Sequence, residues 1–288
     1  MAGGITDQAP VRTRFAPSPT GLLHLGHAFS ALTAQHLATP GQFLLRIEDI
    51  DRTRCRPEYE TAIYDDLHWL GLDWPVPVMR QSDRMGAYRD ALEQLEKLGV
   101  LYPCRCRRGD IRAALSAPQE GVEGPDGLIY PGTCRNRPMS AAGPDDVIRL
   151  NSAAAFDNLG IDEVSFTETS GSGNTPNTLT QKQFMNSVGD VALARRGMGT
   201  SYHLAVAVDD AAQDITKVVR GKDLFDSTWI HVLLQKLLKL PAPLYHHHDL
   251  IRDDSGKRLA KRDDARSLRQ LRDAGASADG IRHSLGIS

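Results

Sequence analysis

Apolar positions along this chain fall into two textures. Short segments such as VRTRF at 11–15 and FLLRI at 43–47 have the length and compactness of buried strands, and the stretches between them carry apolar residues at helical spacing. One helix is expected from about His27 to Ala38, entered through the proline- and glycine-bearing loop of "RFAPSPTGLLHLGH" (14–27). A second starts at Pro57, places Ile63, Leu67 and Leu70 on one face and stops at Gly71. A third has Ser82 as N-cap, Tyr88, Leu92, Leu95 and Leu98 on one face, and Gly99 past its end. Strand, loop, helix, strand is the opening of an α/β fold, with the two amphipathic helices packed on its sheet.

From about 101 to 189 the texture changes to Gly, Pro, Ser, Asn and arginine with three cysteines, and "TSGSGNTPNT" at 169–178 is expected to be a surface loop. Regular texture returns with YHLAVAVDD at 202–210, DITKVVRG at 214–221 and a helix, STWIHVLLQKLLKL, from 227. The division expected is a catalytic α/β unit in two halves, 1–100 and 191–262, split by an insertion at 101–190 and followed by a short helical tail at 263–288.

With 288 residues, 41% of them hydrophobic, the chain can bury a substantial core. Its longest apolar runs are broken by lysines well short of the roughly 20 residues of a membrane span, and "MAGGITDQAP" has neither a basic start nor an apolar segment. The expectation is a cytoplasmic protein, a monomer with no membrane partner. A formal charge of −2 gives no global attraction to nucleic acid, so any such binding rests on local patches. Arg105, Arg107 and Arg108; Arg135 and Arg137; Arg195 and Arg196; and the tail Arg258, Arg262, Arg266, Arg269 and Arg272 are candidates, although each cluster alone reads more readily as solvated surface. Three of the four cysteines, Cys104, Cys106 and Cys134, suit a metal site better than a disulfide framework in a reducing compartment; Cys55 is a bystander thiol beside an acidic cluster.

A helix entered through a glycine-bearing loop offers unpaired backbone N–H groups and the positive end of its dipole, which suits a phosphate. Gly26 lets the backbone approach closely, and His24 and His27 add ring donors within the same turn. Far along the chain, "DDSGKRLAKR" (253–262) supplies a basic loop of the kind a reaction expelling pyrophosphate would use.

These residues carry a resemblance. His24-Leu25-Gly26-His27 resembles the HIGH signature of class I aminoacyl-tRNA synthetases, and Arg258-Leu259-Ala260-Lys261-Arg262 resembles their KMSKS signature, with Ala260 where serine is common. RFAPSPTG, LLRIEDID, YHLAVAVDD and VVRG are similar, in order, to segments of the glutamyl branch. The resemblance implies a Rossmann-like catalytic domain. It implies that His24, Gly26, His27, Arg258 and Lys261 bind ATP, with His24, His27 and Lys261 stabilising the attack of the glutamate α-carboxylate on the α-phosphate and the departure of pyrophosphate. It further implies a glutamate site at Arg14, Phe15, Ala16, Pro17, Ser18, Glu48, Tyr202 and Arg220, with Arg14, Tyr202 and Arg220 on the side-chain carboxylate and Ala16, Ser18 and Glu48 on the ammonium. Magnesium accompanies ATP, bridging its phosphates.

Only residues 262–288 follow Lys261, too few for a helical anticodon-binding domain. That short form, with its C-x-C…Y-x-x-x-C segment, resembles the glutamyl-Q tRNA(Asp) synthetase family. The resemblance implies activation of glutamate without tRNA, then esterification of queuosine at the wobble position of tRNA(Asp), presented through its anticodon loop. It also implies one structural zinc on Cys104, Cys106, Cys134 and Tyr130, although water or a neighbouring acid could replace the phenol. A truncated glutamyl-tRNA synthetase charging the acceptor end, and a non-catalytic zinc-stabilised RNA-binding module, are the alternatives. YHHHD at 245–249 is not expected to hold a metal, because consecutive strand residues face opposite ways.

Overall fold

The computed structural model describes residues 10–38, 41–115, 123–195, 197–251 and 266–287. Its first part runs β1 (Val11–Phe15), α1 (Leu25–Leu37), β2 (Gly41–Ile47), α2 (Pro57–Trp69), β3 (Met79–Arg80) and α3 (Met85–Lys97). A middle part follows: β4 (Leu101–Cys104), α4 (Arg108–Leu115), β5 (Glu123–Gly124), β6 (Gly127–Leu128), β7 (Val147–Leu150), α5 (Ser152–Leu159), β8 (Glu163–Glu168), β9 (Thr175–Thr180) and α6 (Gln181–Ser187). The last part is β10 (Ala192–Ala194), α7 (Tyr202–Ala212), β11 (Lys217–Gly221), α8 (Ser227–Leu237), β12 (Leu244–His248), α9 (Leu268–Asp273) and α10 (Ala278–Ser284).

Two sheets form the platform. Strands β1, β2 and β3 are parallel, as are β11, β12 and β8, with β9 antiparallel at the far edge. β1 meets β11 where the Thr216 N–H donates to the Arg12 carbonyl (3.0 Å) and Arg12 N–H to the Thr216 hydroxyl (2.8 Å). At that junction the strand order reverses, so the crevice above the carboxyl ends of β1 and β11 is where an α/β sheet of this kind takes its ligand. One core packs α1 and α2 on the first sheet, with Ile63, Leu67 and Leu70 fully buried as their spacing predicted. A second gathers α3, α5, α6, α7 and α8 on the other.

The 101–190 segment does not close on itself. β4 pairs with β7 and β7 with β10, while β8 joins β12 in the second sheet, and Leu150, Phe156, Val164 and Phe184 share a core with α8. A separate small cluster, Tyr102, Cys104, Tyr130 and Cys134, belongs to the segment alone. The tail helices dock on the first core through Leu268 and Ile281, and the Leu268 N–H donates to the Leu23 carbonyl (2.8 Å) at the loop leading into α1.

Three local expectations change. Ser82 does not cap α3: it lies in a 3₁₀ turn, Gln81–Arg84, and its N–H and hydroxyl donate to the half-buried Asp49 carboxylate (2.8 and 2.6 Å), which competes successfully with the local cap. Leu98 is 37% exposed rather than on the buried face, because the helix has already ended. The loop expected at 169–178 stops short: Thr175 onward is β9, where pairing with β8 outweighs turn-forming composition.

Candidate active site

The segment leaving β1 supplies one wall of the crevice. Arg14 and Phe15 close the strand, and the Glu48 N–H donates to the Pro17 carbonyl (3.0 Å), fastening the loop to the end of β2. The loop then enters α1 through its two histidines. His24 is the N-cap; the Gly26 N–H donates to His24 Nδ1 (3.1 Å) and the His24 N–H to His27 Nδ1 (3.2 Å). This is a capping box built from imidazoles. Each Nδ1 accepts, so each neutral ring carries its proton on Nε2 and presents that nitrogen as a donor. The rings lie 3.8 Å apart, centroid to centroid.

A cavity of about 400 Å³ opens at this point, lined by Arg14, Phe15, Ala16, His24, Gly26, His27, Glu48, Tyr202 and Arg220 among others. Nine of the expected site residues, distant in sequence, thus share one wall. Pro17 lies buried behind it, and Ser18 lines the adjoining cavity, which shares Glu48 and Tyr202. Arg258 and Lys261 fall outside the described residues.

Two buried arginines, Arg14 of the cavity lining and Arg46 of β2, are matched by carboxylates. Asp210 receives Arg14 through Nε and Nη2 (2.9 and 3.1 Å) and Arg46 through Nη1 (2.8 Å); Arg46 also reaches Glu48 (3.3 Å). Burial alone would raise the Asp210 carboxyl, and the two guanidinium groups more than reverse it, holding it below the usual range. For Glu48 burial wins over Arg46 and Arg14, and its carboxyl is pushed up. The neighbouring Asp209 anchors the helix instead, accepting from Arg84 (2.6 Å), Tyr88 (2.7 Å) and Gln81 (3.0 Å).

Arg220, 6% exposed, is held differently. Its Nε donates to His247 Nε2 (3.1 Å), Nη1 to His231 Nδ1 (3.1 Å) and the Tyr202 hydroxyl (3.4 Å), and Nη2 to the Thr228 hydroxyl (2.6 Å). All four partners are neutral acceptors. Burial and the adjacent guanidinium lower His247 to about 4 and His231 well below its ordinary value, so both rings are uncharged. The resemblance did not mark Asp210, Arg46, Thr228, His231 or His247. The pairing VDD and the strand RIE were visible as motifs, whereas the histidines had no local signal; YHHHD drew attention only as a metal site. In the structure its rings part: His247 turns to Arg220 and Glu168, His248 to Ser30 (2.6 Å), His246 to Thr169 (3.5 Å).

The cysteine sulfurs of Cys104, Cys106 and Cys134 lie within 4.8 Å of one another and could hold a metal ion. A tetrahedral zinc with bonds of roughly 2.3 Å needs sulfurs about 3.8 Å apart, which this group meets with little movement. Tyr130 belongs to the same cluster: its hydroxyl sits 3.3 and 3.4 Å from Cys104 and Cys106 Sγ and accepts from the Cys134 N–H (2.9 Å). Arg149 lies over its ring, 4.0 Å from the centroid. The Cys134 thiol, which burial would raise, is drawn down to about 7 by hydrogen bonds led by Tyr130. Cys55 has its thiol raised by burial and by Asp49 and Asp51.

A cavity of about 640 Å³ adjoins this cluster, its rim carrying Arg107, Arg108, Arg112, Arg149 and Arg195. Arg108 and Arg195 also border the cavity that opens onto Glu48 and Tyr202, so the basic surface leads towards the crevice. Of these Arg195 is paired with Asp126, and outside the rim Arg135 and Arg137 are tied to Asp190 (2.8 Å) and Asp146 (3.0 Å). Among the described residues, no helix is long and apolar enough to cross a membrane.

The family model described as tRNA synthetases class I (E and Q), catalytic domain, matches residues 10–284. Similar proteins include the glutamyl-Q tRNA(Asp) synthetase of Rhodobacter capsulatus, 54% identical over 281 residues, covering 96% of this chain and 99% of that one. That of Symbiobacterium thermophilum is 40% identical over 285 residues, covering 93% and 83%. Among solved structures, a glutamate tRNA ligase from Elizabethkingia meningosepticum in complex with its amino acid superposes with a TM-score of 0.67 at 29% identity, over 88% of this chain and 52% of that one. The methionyl-tRNA synthetase of Mycobacterium tuberculosis shares the fold alone, with a TM-score of 0.62 at 9% identity over 96% of this chain and 64% of that one.

Proposed function

Because this chain belongs to the class I tRNA synthetases of the E and Q group and, within it, to the glutamyl-Q tRNA(Asp) synthetases, we propose that it activates glutamate with ATP without requiring tRNA and transfers the glutamyl group to queuosine in the anticodon loop of tRNA(Asp). The observation that carries the reading is the buried Arg220, held by neutral acceptors in a cavity that the imidazole-capped start of α1 also lines. A buried cation with no charge of its own to meet favours a carboxylate ligand, and donors at a helix start favour a phosphate.

In this reading Arg220 and Tyr202 receive the glutamate side chain, with Arg14 alongside, and Glu48, Ser18 and the Ala16 backbone receive the ammonium. His24 and His27 donate through Nε2 to the phosphates as charge builds on them, and Arg258 and Lys261 neutralise the departing pyrophosphate, which magnesium accompanies. Three thiolates and the Tyr130 oxygen hold one zinc, which acts as a cross-link within a segment that has little apolar core of its own. The chain is read as a cytoplasmic monomer, its domains divided at 100, 190 and 262.

The test has two parts. Glutamate-dependent ATP–pyrophosphate exchange without tRNA is expected. Radiolabelled glutamate should then pass to queuosine-containing tRNA(Asp), not to the same tRNA lacking queuosine, and removal of the 3′-terminal adenosine should not block it. Label on tRNA(Glu) would instead make the chain an acceptor-end synthetase, and absence of exchange would overturn the catalytic reading.

A further inference from the structure

Among the described residues, two of the three buried arginines meet an acid directly. Arg14 and Arg46 lie on Asp210, and Arg220, as deeply buried, has no carboxylate within ion-pair distance among the described residues. The acids are present but set back. Glu168 accepts from His247 Nδ1, so one imidazole separates it from Arg220. On the other side His231 Nε2 faces His203 Nδ1 (3.2 Å), and His203 Nε2 faces Asp126 Oδ1 at 3.9 Å, so two imidazoles intervene.

The order of donors follows from Arg220 itself. A guanidinium only donates, so His247 Nε2 and His231 Nδ1 must accept, and their protons reside on the opposite nitrogens. His247 then donates to Glu168, and His231 donates to His203, leaving the His203 proton on Nε2, towards Asp126. Each ring gives Arg220 a fixed geometry without cancelling its charge. An acid in direct contact would fix it equally well and satisfy it, as Asp210 does for Arg14.

We propose that His231 and His247 are specificity-determining positioning residues: they orient Arg220 as neutral acceptors and so reserve its charge for an anionic side chain on the substrate. The proposal rests on the reading that Arg220 receives the glutamate carboxylate. It explains why a pocket lined by Glu48, with Glu168 and Asp126 set back behind the histidines, would still select an acidic amino acid over its amide.

The test measures KM for glutamate and for ATP, and the ratio of glutamate to glutamine activation, by pyrophosphate exchange. His231→Glu supplies Arg220 with its own carboxylate; KM for glutamate should rise about 100-fold, KM for ATP should hold within about threefold, and preference over glutamine should collapse. His231→Gln, which retains an acceptor, should stay within about fivefold of wild type, and His231→Phe, which has none, should fall between. Arg220→Ala separates the two layers of argument. If it leaves KM for glutamate unchanged, the assignment of Arg220 fails; if it raises KM while His231→Glu does not, the assignment stands and the proposal is overturned. Should His231→Glu not fold, the Gln and Phe variants decide: equal behaviour of the two would overturn the proposal, and retention by Gln alone would support it.

Discussion

The crevice at the β1–β11 junction and the cysteine cluster of the middle segment are both polar sites, yet they are held together by opposite means. The crevice stands on two extensive cores, and its charges are fastened to one another through buried ion pairs and neutral acceptors. The cluster has four buried residues of its own, three of them the donors Cys104, Cys134 and Tyr130. A site resting on packed elements is pre-organised before its ligand arrives, whereas one whose core is its own ligand set depends on the ligand for its order.

The largest effect should come from breaking the crevice at its uncompensated charge. Arg220→Ala removes a buried, charge-assisted partner for the substrate carboxylate, a loss of about 3–5 kcal/mol, or a fall of roughly 100-fold or more in glutamate activation. Pyrophosphate exchange at varied glutamate, with ATP binding followed in parallel, measures it; equal losses for both ligands would remove Arg220 from the amino-acid side of the cavity. The contrasting site should fail in the other way. A Cys104→Ser, Cys106→Ser variant is expected to lose bound zinc, measured as metal per chain, and to expose residues 101–149 to hydrogen exchange, while glutamate activation falls by less than about tenfold. Wild-type protein carrying no metal when purified without chelator, yet fully ordered in that segment, would contradict the dependence.

How much of this was legible in the sequence divides along the same line. Strand and helix positions followed from local pattern: β1, α1 and β2 lie where the compact apolar runs and the loop between them place them, and α2 and α3 where the spacing of Ile63, Leu67, Tyr88 and Leu95 requires. The motif residues His24, His27, Glu48, Tyr202 and Arg220 meet in one cavity because each lies at or near a strand's carboxyl end or a helix start, and such positions announce themselves locally. Partners that act through space did not. Asp49 takes Ser82 away from its cap across 33 residues, and Arg220 depends on His231 and His247, whose role is set by a donor that reaches them from another strand. Nor did composition reveal that β8 crosses from the Gly- and Pro-rich segment into the second sheet, since pairing with β12 leaves no periodic mark.

The neutral histidines give the comparison a pH signature. Each has its folded value depressed, His247 from 6.5 to about 4 by burial first and Arg220 second, so the folded state binds fewer protons than the unfolded chain. Their stabilising contribution is therefore complete above 6.5 and is lost as pH falls towards 4. Thermal unfolding should shift downwards through that window, and His247→Gln should flatten the shift; an unchanged profile in the variant would mean that other groups govern the acid limit. The cysteine cluster should respond in the same direction but through proton competition with the metal, so chelated protein should lose that part of the dependence and keep the histidine part.

The smallest effect separates the two duties of the signature histidines. His24 accepts the Gly26 N–H at the start of α1, and loss of an N-cap acceptor costs about 1 kcal/mol. Asparagine is as good a cap as any residue, but its side chain cannot place a ring Nε2–H over the cavity. His24→Asn should keep the melting temperature close to wild type and lose exchange activity, whereas His24→Ala should lose both, with the difference in stability near that 1 kcal/mol. If the two variants melt together well below wild type, the ring is packing rather than capping. If His24→Asn stays active, the donor to the phosphates is the backbone of the helix start, and the imidazole serves only to hold that start in place.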